Sequence, residues 1–165
     1  MEPKTVTRHL LEDHREIKRL LGEMENALEP TDLKRIGDIV DRLEPLVELH
    51  RRKEEEIFLP ALARCMFDHP KPLAAVTHDH GVEETYLEEV KSFLTVMEDV
   101  SFLKPLVDAC RSLVQFFRDH LWKEESFIFP CAERSLSDEV KWELLVRMED
   151  LEKESAHAGT AQKET

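Results

Sequence analysis

A repeated block of eleven residues constrains this chain more than any other feature of its sequence. The first copy begins at His50 and reads H-R-R-K-E-E-E-I-F-L-P, and the second begins at His120 and reads H-L-W-K-E-E-S-F-I-F-P. Both have the form H-x-x-K-E-E-x4-P and lie 70 residues apart. Because a histidine with this pattern of glutamates and proline is not expected twice by chance, the repeat indicates two similar halves.

A single histidine lies upstream of each block. His14 follows Glu12-Asp13, and His80 follows Thr77-His78-Asp79. Each half therefore supplies one histidine from one segment and a histidine–glutamate pair from the next.

Apolar residues recur every three or four positions through almost the whole chain, which predicts helices. The predicted helices cover about 10–28, 33–62, 73–98, 103–133 and 137–154, with a turn at 67–72. Pro45 and Pro60 fall inside the second span and predict a kink or a break near each, and Pro130 lies near the end of the fourth. Four long helices with short connections predict an all-α, antiparallel up-down four-helix bundle, with a short fifth C-terminal helix. We expect one domain over residues 1–155 and a flexible tail over 156–165.

Charge and composition exclude several classes of protein. The net charge of the 165 residues is −13, and no lysine or arginine cluster stands apart from neighbouring acids, so we expect no nucleic-acid partner. No stretch approaches the ~18 apolar residues of a membrane span, and the start of the chain does not resemble a leader. Three scattered cysteines do not form a disulfide framework. These features predict a cytoplasmic protein that has no membrane partner.

The spacing within the repeat has a chemical meaning. Residues i and i+4 of a helix share one face, with Cβ atoms about 5–6 Å apart, so His50/Glu54 and His120/Glu124 can each present an imidazole and a carboxylate to one point. Imidazole with carboxylate suits iron, although zinc, copper and manganese also accept such ligands. Together with the two upstream histidines, the pairs suit two adjacent metals that share both carboxylates. A single H-x3-E would indicate an ordinary pair of surface residues. Because the pattern occurs twice, we favour a metal site over that interpretation.

These residues resemble the hemerythrin-like (HHE cation-binding) family over about residues 5–155. The resemblance implies a site of two iron ions with a bridging oxo or hydroxo group. It also implies a small diatomic ligand as partner, in a monomer or weak homodimer. Relatives bind or sense oxygen, nitric oxide or iron, or help to repair iron–sulfur clusters. The family's metal ligands map onto six residues: His14, His50, Glu54, His80, His120 and Glu124.

Two departures from the oxygen carriers of this family leave the function open. The carriers have a second histidine four residues from the first in the third helix, whereas here Val76 precedes His80 and Glu84 follows it at that distance. Glu84 is therefore either an additional ligand or an exposed acid. The fourth helix has H-x3-E where the carriers have a longer spacing to an aspartate. Both departures argue against a dedicated oxygen carrier.

Three functional interpretations stay open. The first is a module that binds or senses a diatomic ligand or iron. The second is a di-iron enzyme acting on oxygen, peroxide or nitric oxide, or an iron donor in iron–sulfur cluster repair. Bulky residues around the predicted site favour the first. The third is a bundle whose site is empty or loaded with zinc. A ferritin-like carboxylate protein fits less well, because that class uses E-x-x-H.

Several other residues are set aside as metal ligands. On a helix His78 points away from His80. We expect His9, His69 and His157 to be solvated, and Cys65 and Cys131 to be small core residues. Tyr86 and Trp122 could line a pocket near the metals, but aromatic residues at helical spacing more often lie in the core, where we expect them. Glu55 and Glu125 each follow a predicted ligand by one position and are expected close behind the ligands or at the surface.

Overall fold

A computed structural model describes residues 5–66, 71–96 and 100–161 of the chain, and within these ranges the architecture is helical. The helices, in chain order, are α1 (Val6–Asn26), α2 (Leu33–Arg52), a first π-helical segment (Lys53–Phe58), α3 (Leu59–Cys65), α4 (Lys71–Thr95), a 3₁₀ turn (Val100–Phe102), α5 (Leu103–Lys123), a second π-helical segment (Glu124–Ile128), α6 (Phe129–Ser135) and α7 (Asp138–Ala161).

Four long rods form the bundle. They are α1, the uninterrupted helix from α2 to α3, α4, and the uninterrupted helix from α5 to α6. α1 and α4 each pack against both α2 and α5. The predicted all-α bundle with a further C-terminal helix is confirmed. Its last helix extends to Ala161, seven residues beyond the predicted end, so the segment proposed as a flexible tail is helical over 156–161. The remaining tail residues, and most of the turn predicted at 67–72, lie outside the described ranges.

Each π-helical segment ends just before a proline of the repeat. The N–H of Leu59 donates to the carbonyl of Glu54, five residues earlier, and Phe129 donates to Glu124 in the same way. Pro60 and Pro130 follow at once; each lacks an N–H, and a proline ring crowds the carbonyl four residues before it. The wider π turn accommodates the ring, so the helix continues through Pro130 and also through Pro60, where a kink or a break was predicted. Such turns often occur at functional sites.

The apolar core consists of two clusters separated by polar side chains. One cluster includes Ile17 and Leu87 and the other includes Leu10 and Val76. Along α1 and α4, a histidine lies between the members of one cluster and those of the other: His14 on α1 and His80 on α4. In the two rods that carry the repeat, the predicted ligands likewise lie between residues of one cluster and residues of the other. The predicted ligands therefore form a polar layer across the bundle, covered by apolar side chains on both sides.

The fifth helix, α7, covers only one half of the molecule. It packs against α1 and the first π-helical segment, with Leu144, Met148 and Leu151 buried. In the other half, none of the described helices covers the equivalent face, which holds a cavity of about 260 Å³. Beside it Phe127 and Trp122 are each 59% exposed, so the expectation that Trp122 lies in the core was wrong. No helix among the described residues has the length and apolar run needed to cross a bilayer.

Candidate metal centre

Six buried side chains from all four rods meet in the polar layer. Each is at most 4% exposed. Their ligand atoms form two groups, and within each group these atoms lie within 4.8 Å of one another. The first group is His14, His50, Glu54 and Glu124, and the second is Glu54, His80, His120 and Glu124. The structure thus brings together the six residues that the repeat singled out, and both groups contain the same two glutamates.

Glu54 points one carboxylate oxygen at each half of the molecule. Its Oε1 lies 3.6 Å from His50 Nε2, and its Oε2 lies 3.1 Å from His80 Nε2. The carboxylate therefore lies between a histidine of the first half and one of the second.

Glu124 repeats this arrangement from the other side. Its Oε2 lies 3.2 Å from His14 Nε2, whereas its Oε1 lies 3.0 Å from His120 Nε2 and 3.8 Å from His80 Nε2. Two carboxylates that each direct separate oxygens at two histidine pairs have the form of bridging ligands.

The two histidine pairs have nearly the same geometry. The rings of His14 and His50 are T-shaped with centroids 4.8 Å apart, and those of His80 and His120 are T-shaped at 5.0 Å. At metal–ligand bonds of about 2.1 Å, neighbouring ligand atoms on one metal lie about 3 Å apart. The separations given above, from 3.0 to 3.8 Å, are compatible with that spacing after small adjustments.

Unpaired polar atoms face the middle of the cluster. Five ligand atoms are buried and have no hydrogen-bond partner: both carboxylate oxygens of Glu124, Oε2 of Glu54, and Nε2 of His80 and of His120. Burying a polar atom without a partner costs free energy. A divalent or trivalent cation would satisfy these atoms together, so the residues present fit a metal site.

The other nitrogen of each histidine also has a carboxylate partner. Nδ1 of His50 lies 3.1 Å from Asp13 Oδ2, and Nδ1 of His120 lies 3.4 Å from Asp79 Oδ2. Sequence reasoning quoted both aspartates but gave them no role. The signal was present, because Asp13 and Asp79 each directly precede an upstream histidine of the set.

The second glutamates of the repeat serve the remaining two histidines. His14 Nδ1 lies 2.8 Å from Glu125 Oε1, and His80 Nδ1 lies 2.7 Å from Glu55 Oε1. Both glutamates thus lie close behind the ligands, one of the two positions expected for them. A carboxylate at Nδ1 keeps a proton on that nitrogen and leaves Nε2, which faces the cluster, as the atom that would bind a metal.

Charge within the cluster is mutually compensated. Burial alone would lower the pKa values of His14, His80 and His120, but the close carboxylates of Glu124 and its acidic neighbours raise them to about 9, 11 and 9. Burial alone would raise the pKa of Glu124, but the same histidines hold it well below its usual value. The hydrogen bond from His14 lowers the pKa of Glu125 to about 2. Glu124 and Glu125 are therefore anionic at neutral pH.

The lysines of the two repeats differ in burial. Lys53 is 1% exposed, and its Nζ lies 2.8 Å from Asp13 and 2.5 Å from Glu152 of α7. Lys123 lies 2.9 Å from Asp79 but is 52% exposed, because α7 does not reach this half. Their equivalent positions in the sequence gave no sign of this difference.

His9 was expected to be solvated, and this was wrong. It is 4% exposed, and its Nε2 lies 3.0 Å from Glu152 Oε1. α7 buries it, and the packing of that helix against α1 could not be predicted from its own sequence. His78 and His157 are exposed, whereas His69 lies outside the described residues. Cys65 is exposed and Cys131 half-buried, so neither is the core residue expected.

Glu84, the possible additional ligand, lies away from the cluster. Its side chain is 63% exposed, and it pairs with Arg51 at 3.3 Å. The preceding residue, Glu83, is instead 3% exposed, with Oε1 3.5 Å from His120 Nε2. Burial raises the pKa of Glu83 to about 7. Sequence reasoning missed Glu83 because it considered only ligands four residues apart.

The fold and the clustered ligands define the chain as a four-helix-bundle protein with a candidate binding site for cations. Residues 5–132 match the family described as hemerythrin HHE cation binding domain. That match covers most of the chain, and the chain belongs to this family. No curated protein matches it.

Proposed function

We propose that this protein holds two iron ions and uses them to bind or sense a small diatomic ligand such as oxygen or nitric oxide. His14 and His50 would hold one iron, and His80 and His120 the other. Glu54 and Glu124 would bridge the two. An oxo or hydroxo group would complete the bridge.

One observation carries this proposal: both bridging candidates present separate oxygens to the two histidine pairs. Glu54 divides its oxygens between His50 and His80 at 3.6 and 3.1 Å. A site for one metal would need all of its ligands to converge on one point. Two overlapping groups that share two carboxylates favour two adjacent ions instead.

Iron fits this set of ligands, and its redox chemistry suits the proposed binding of a diatomic ligand. Mixed imidazole and carboxylate ligands suit iron, and an iron pair can bind diatomic ligands with a change of oxidation state. The chain's own residues position the ligands: Asp13, Glu55, Asp79 and Glu125 orient the four imidazoles through Nδ1. The apolar clusters on both sides of the polar layer limit access of bulk water.

Metal analysis of anaerobically purified protein tests the proposal. We expect two iron ions per chain and an absorption spectrum that changes on exposure to oxygen or nitric oxide and returns when the gas is removed. Zinc in place of iron after expression in iron-replete medium, or one metal per chain, would contradict it.

The cytoplasmic setting stays a prediction and is tested by fractionation of the cells that produce the protein.

A second candidate function is a di-iron enzyme acting on oxygen, peroxide or nitric oxide. The cavity of about 260 Å³ favours it, because Pro72, Ala75 and Val76 line it and it reaches His120. Small residues therefore replace part of the bulky lining expected from the sequence, and Phe127 and Ile128 supply the rest. Multiple turnovers of peroxide or nitric oxide with a supplied reductant would support the enzyme, whereas stoichiometric, reversible binding would support the sensor.

A further inference from the structure

Glu83 breaks the symmetry of the candidate centre. It lies on α4, three residues after His80, and its side chain is 3% exposed. The equivalent position on α1, three residues after His14, holds Ile17, which is 1% exposed and belongs to the apolar core. One half of the molecule therefore places a carboxylate where the other places a hydrocarbon.

The contacts of Glu83 point it at the cluster. Its Oε1 is buried, has no hydrogen-bond partner, and lies 3.5 Å from His120 Nε2. This separation falls within the range found between the histidines and the bridging glutamates, 3.0 to 3.8 Å. Neighbouring ligands on one metal have about that spacing once bonds of about 2.1 Å form.

A structural role does not account for this residue. A buried carboxylate oxygen without a hydrogen-bond partner destabilises the folded chain, and an apolar side chain at the same place would pack without that cost. Ile17 shows that the bundle accepts an apolar residue at the equivalent site. Glu83 is also absent from the two tightly grouped ligand sets, so a small movement of its side chain is needed for it to reach a metal.

We propose that Glu83 is a seventh protein ligand, bound only to the iron held by His80 and His120. This inference rests on the proposed di-iron centre. It makes the two irons inequivalent, because one gains a carboxylate oxygen that the other lacks. Anionic oxygen is a hard donor, so this iron is biased toward the ferric state relative to its neighbour.

Mössbauer spectra of protein loaded with ⁵⁷Fe and oxidised in air test the inference. The wild-type protein should show two quadrupole doublets of equal area. In Glu83→Gln, the doublet of one iron, half of the spectral area, should shift, and the other should stay in place. The metal content should remain two per chain, because every bridging ligand and histidine is intact.

Glu84→Gln is the matched control. It makes the same change one residue further along α4, on a side chain that is 63% exposed, and should leave both doublets unchanged. If Glu83→Gln does not fold, Glu83→Asp keeps the charge on a shorter side chain and should shift the same doublet. Metal loading should also raise the melting temperature less in Glu83→Gln than in the wild type or in Glu84→Gln.

The outcomes separate this inference from the proposed function. Wild-type protein that binds no pair of irons would contradict the proposed function itself. Protein that binds two irons but shows one doublet, or the same two doublets in Glu83→Gln, would overturn the role of Glu83 and leave the di-iron centre standing.

Discussion

Asp13 contacts His50, although its sequence neighbour His14 is itself a candidate ligand: Oδ2 of Asp13 lies 3.1 Å from Nδ1 of His50. Helix α1 thus supplies one ligand directly and orients another through the adjacent residue. α4 does the same with Asp79, which lies 3.4 Å from Nδ1 of His120. The dipeptide Asp-His therefore links neighbouring rods twice in the molecule.

We expect Asp79→Asn to weaken iron binding by about 10- to 100-fold, because the amide no longer holds the His120 imidazole in one orientation. Asp79 is the better test of the two aspartates, since Asp13 also pairs with the buried Lys53. Competition with a chelator of known affinity measures the change. Asp38→Asn, an exposed aspartate paired with Lys34, should bind iron as the wild type does.

Glu54→Ala should lose both irons, because Glu54 contacts histidines of both halves. The double variant His50→Ala/Glu54→Ala should also lose both irons. The readout is iron per chain by elemental analysis after desalting. Glu56 lies in the same π-helical segment and pairs with Arg52 at the surface, so Glu56→Ala should retain two irons. One full equivalent of iron in the double variant would contradict the shared bridge.

Removing the metal should lower the melting temperature. Metal that binds only the folded state stabilises it by mass action, by about 2.7 kcal/mol when free metal exceeds its dissociation constant a hundredfold. Without the metal, buried atoms such as both oxygens of Glu124 have no hydrogen-bond partner. Calorimetry before and after chelation measures the difference. Equal melting temperatures would mean that the buried cluster does not bind the ion.

Glu152→Ala should destabilise the fold by about 1–3 kcal/mol, because it removes a carboxylate partner from a buried lysine. Lys53 would keep only Asp13, and His9 would lose its contact with α7. Chemical denaturation of the metal-loaded protein measures the loss. Glu143→Ala, at an exposed position of the same helix, should change stability by less than about 0.5 kcal/mol.

Acid should weaken the docking of α7 through Glu133. Burial alone would raise the pKa of this carboxyl, but hydrogen bonds from Thr7 and Lys141 outweigh it and lower the pKa below 4.5. Because the folded-state pKa is the lower one, the stabilisation is complete above pH 4.5 and is lost as pH falls through the folded-state value. Glu133→Gln should therefore be less stable than the wild type at pH 6, and the difference should shrink at pH 3.5.

The helical class and the six clustered residues could be predicted because they depend on local spacing. Periodic apolar residues define the helices, and an i, i+4 pair defines which side chains share a face. The repeat then indicated which pairs mattered. His14 and His80 followed from their position upstream of each block, together with the family resemblance.

The rest depended on contacts between distant residues. The burial of Lys53 and His9 is caused by α7, whose packing partner cannot be read from its own periodicity. Glu83, and not Glu84, faces the cluster because of how α4 is rotated about its axis against α5. The spacing of the histidines does not determine this rotation. The π-helical segments had a visible cause in the prolines, but sequence alone does not distinguish a widened turn from a break.

The division of Glu124's oxygens between His14 and His120 has a mechanical consequence. In the proposed centre, a bound metal ties residue 14 to residue 124 and so closes a loop that contains most of the chain. When the molecule is stretched from its two ends, the metal–ligand bonds would bear the force until they ruptured. The chain between residues 14 and 124 would then extend in one step. Without the metal, the helices could peel away one after another at lower force.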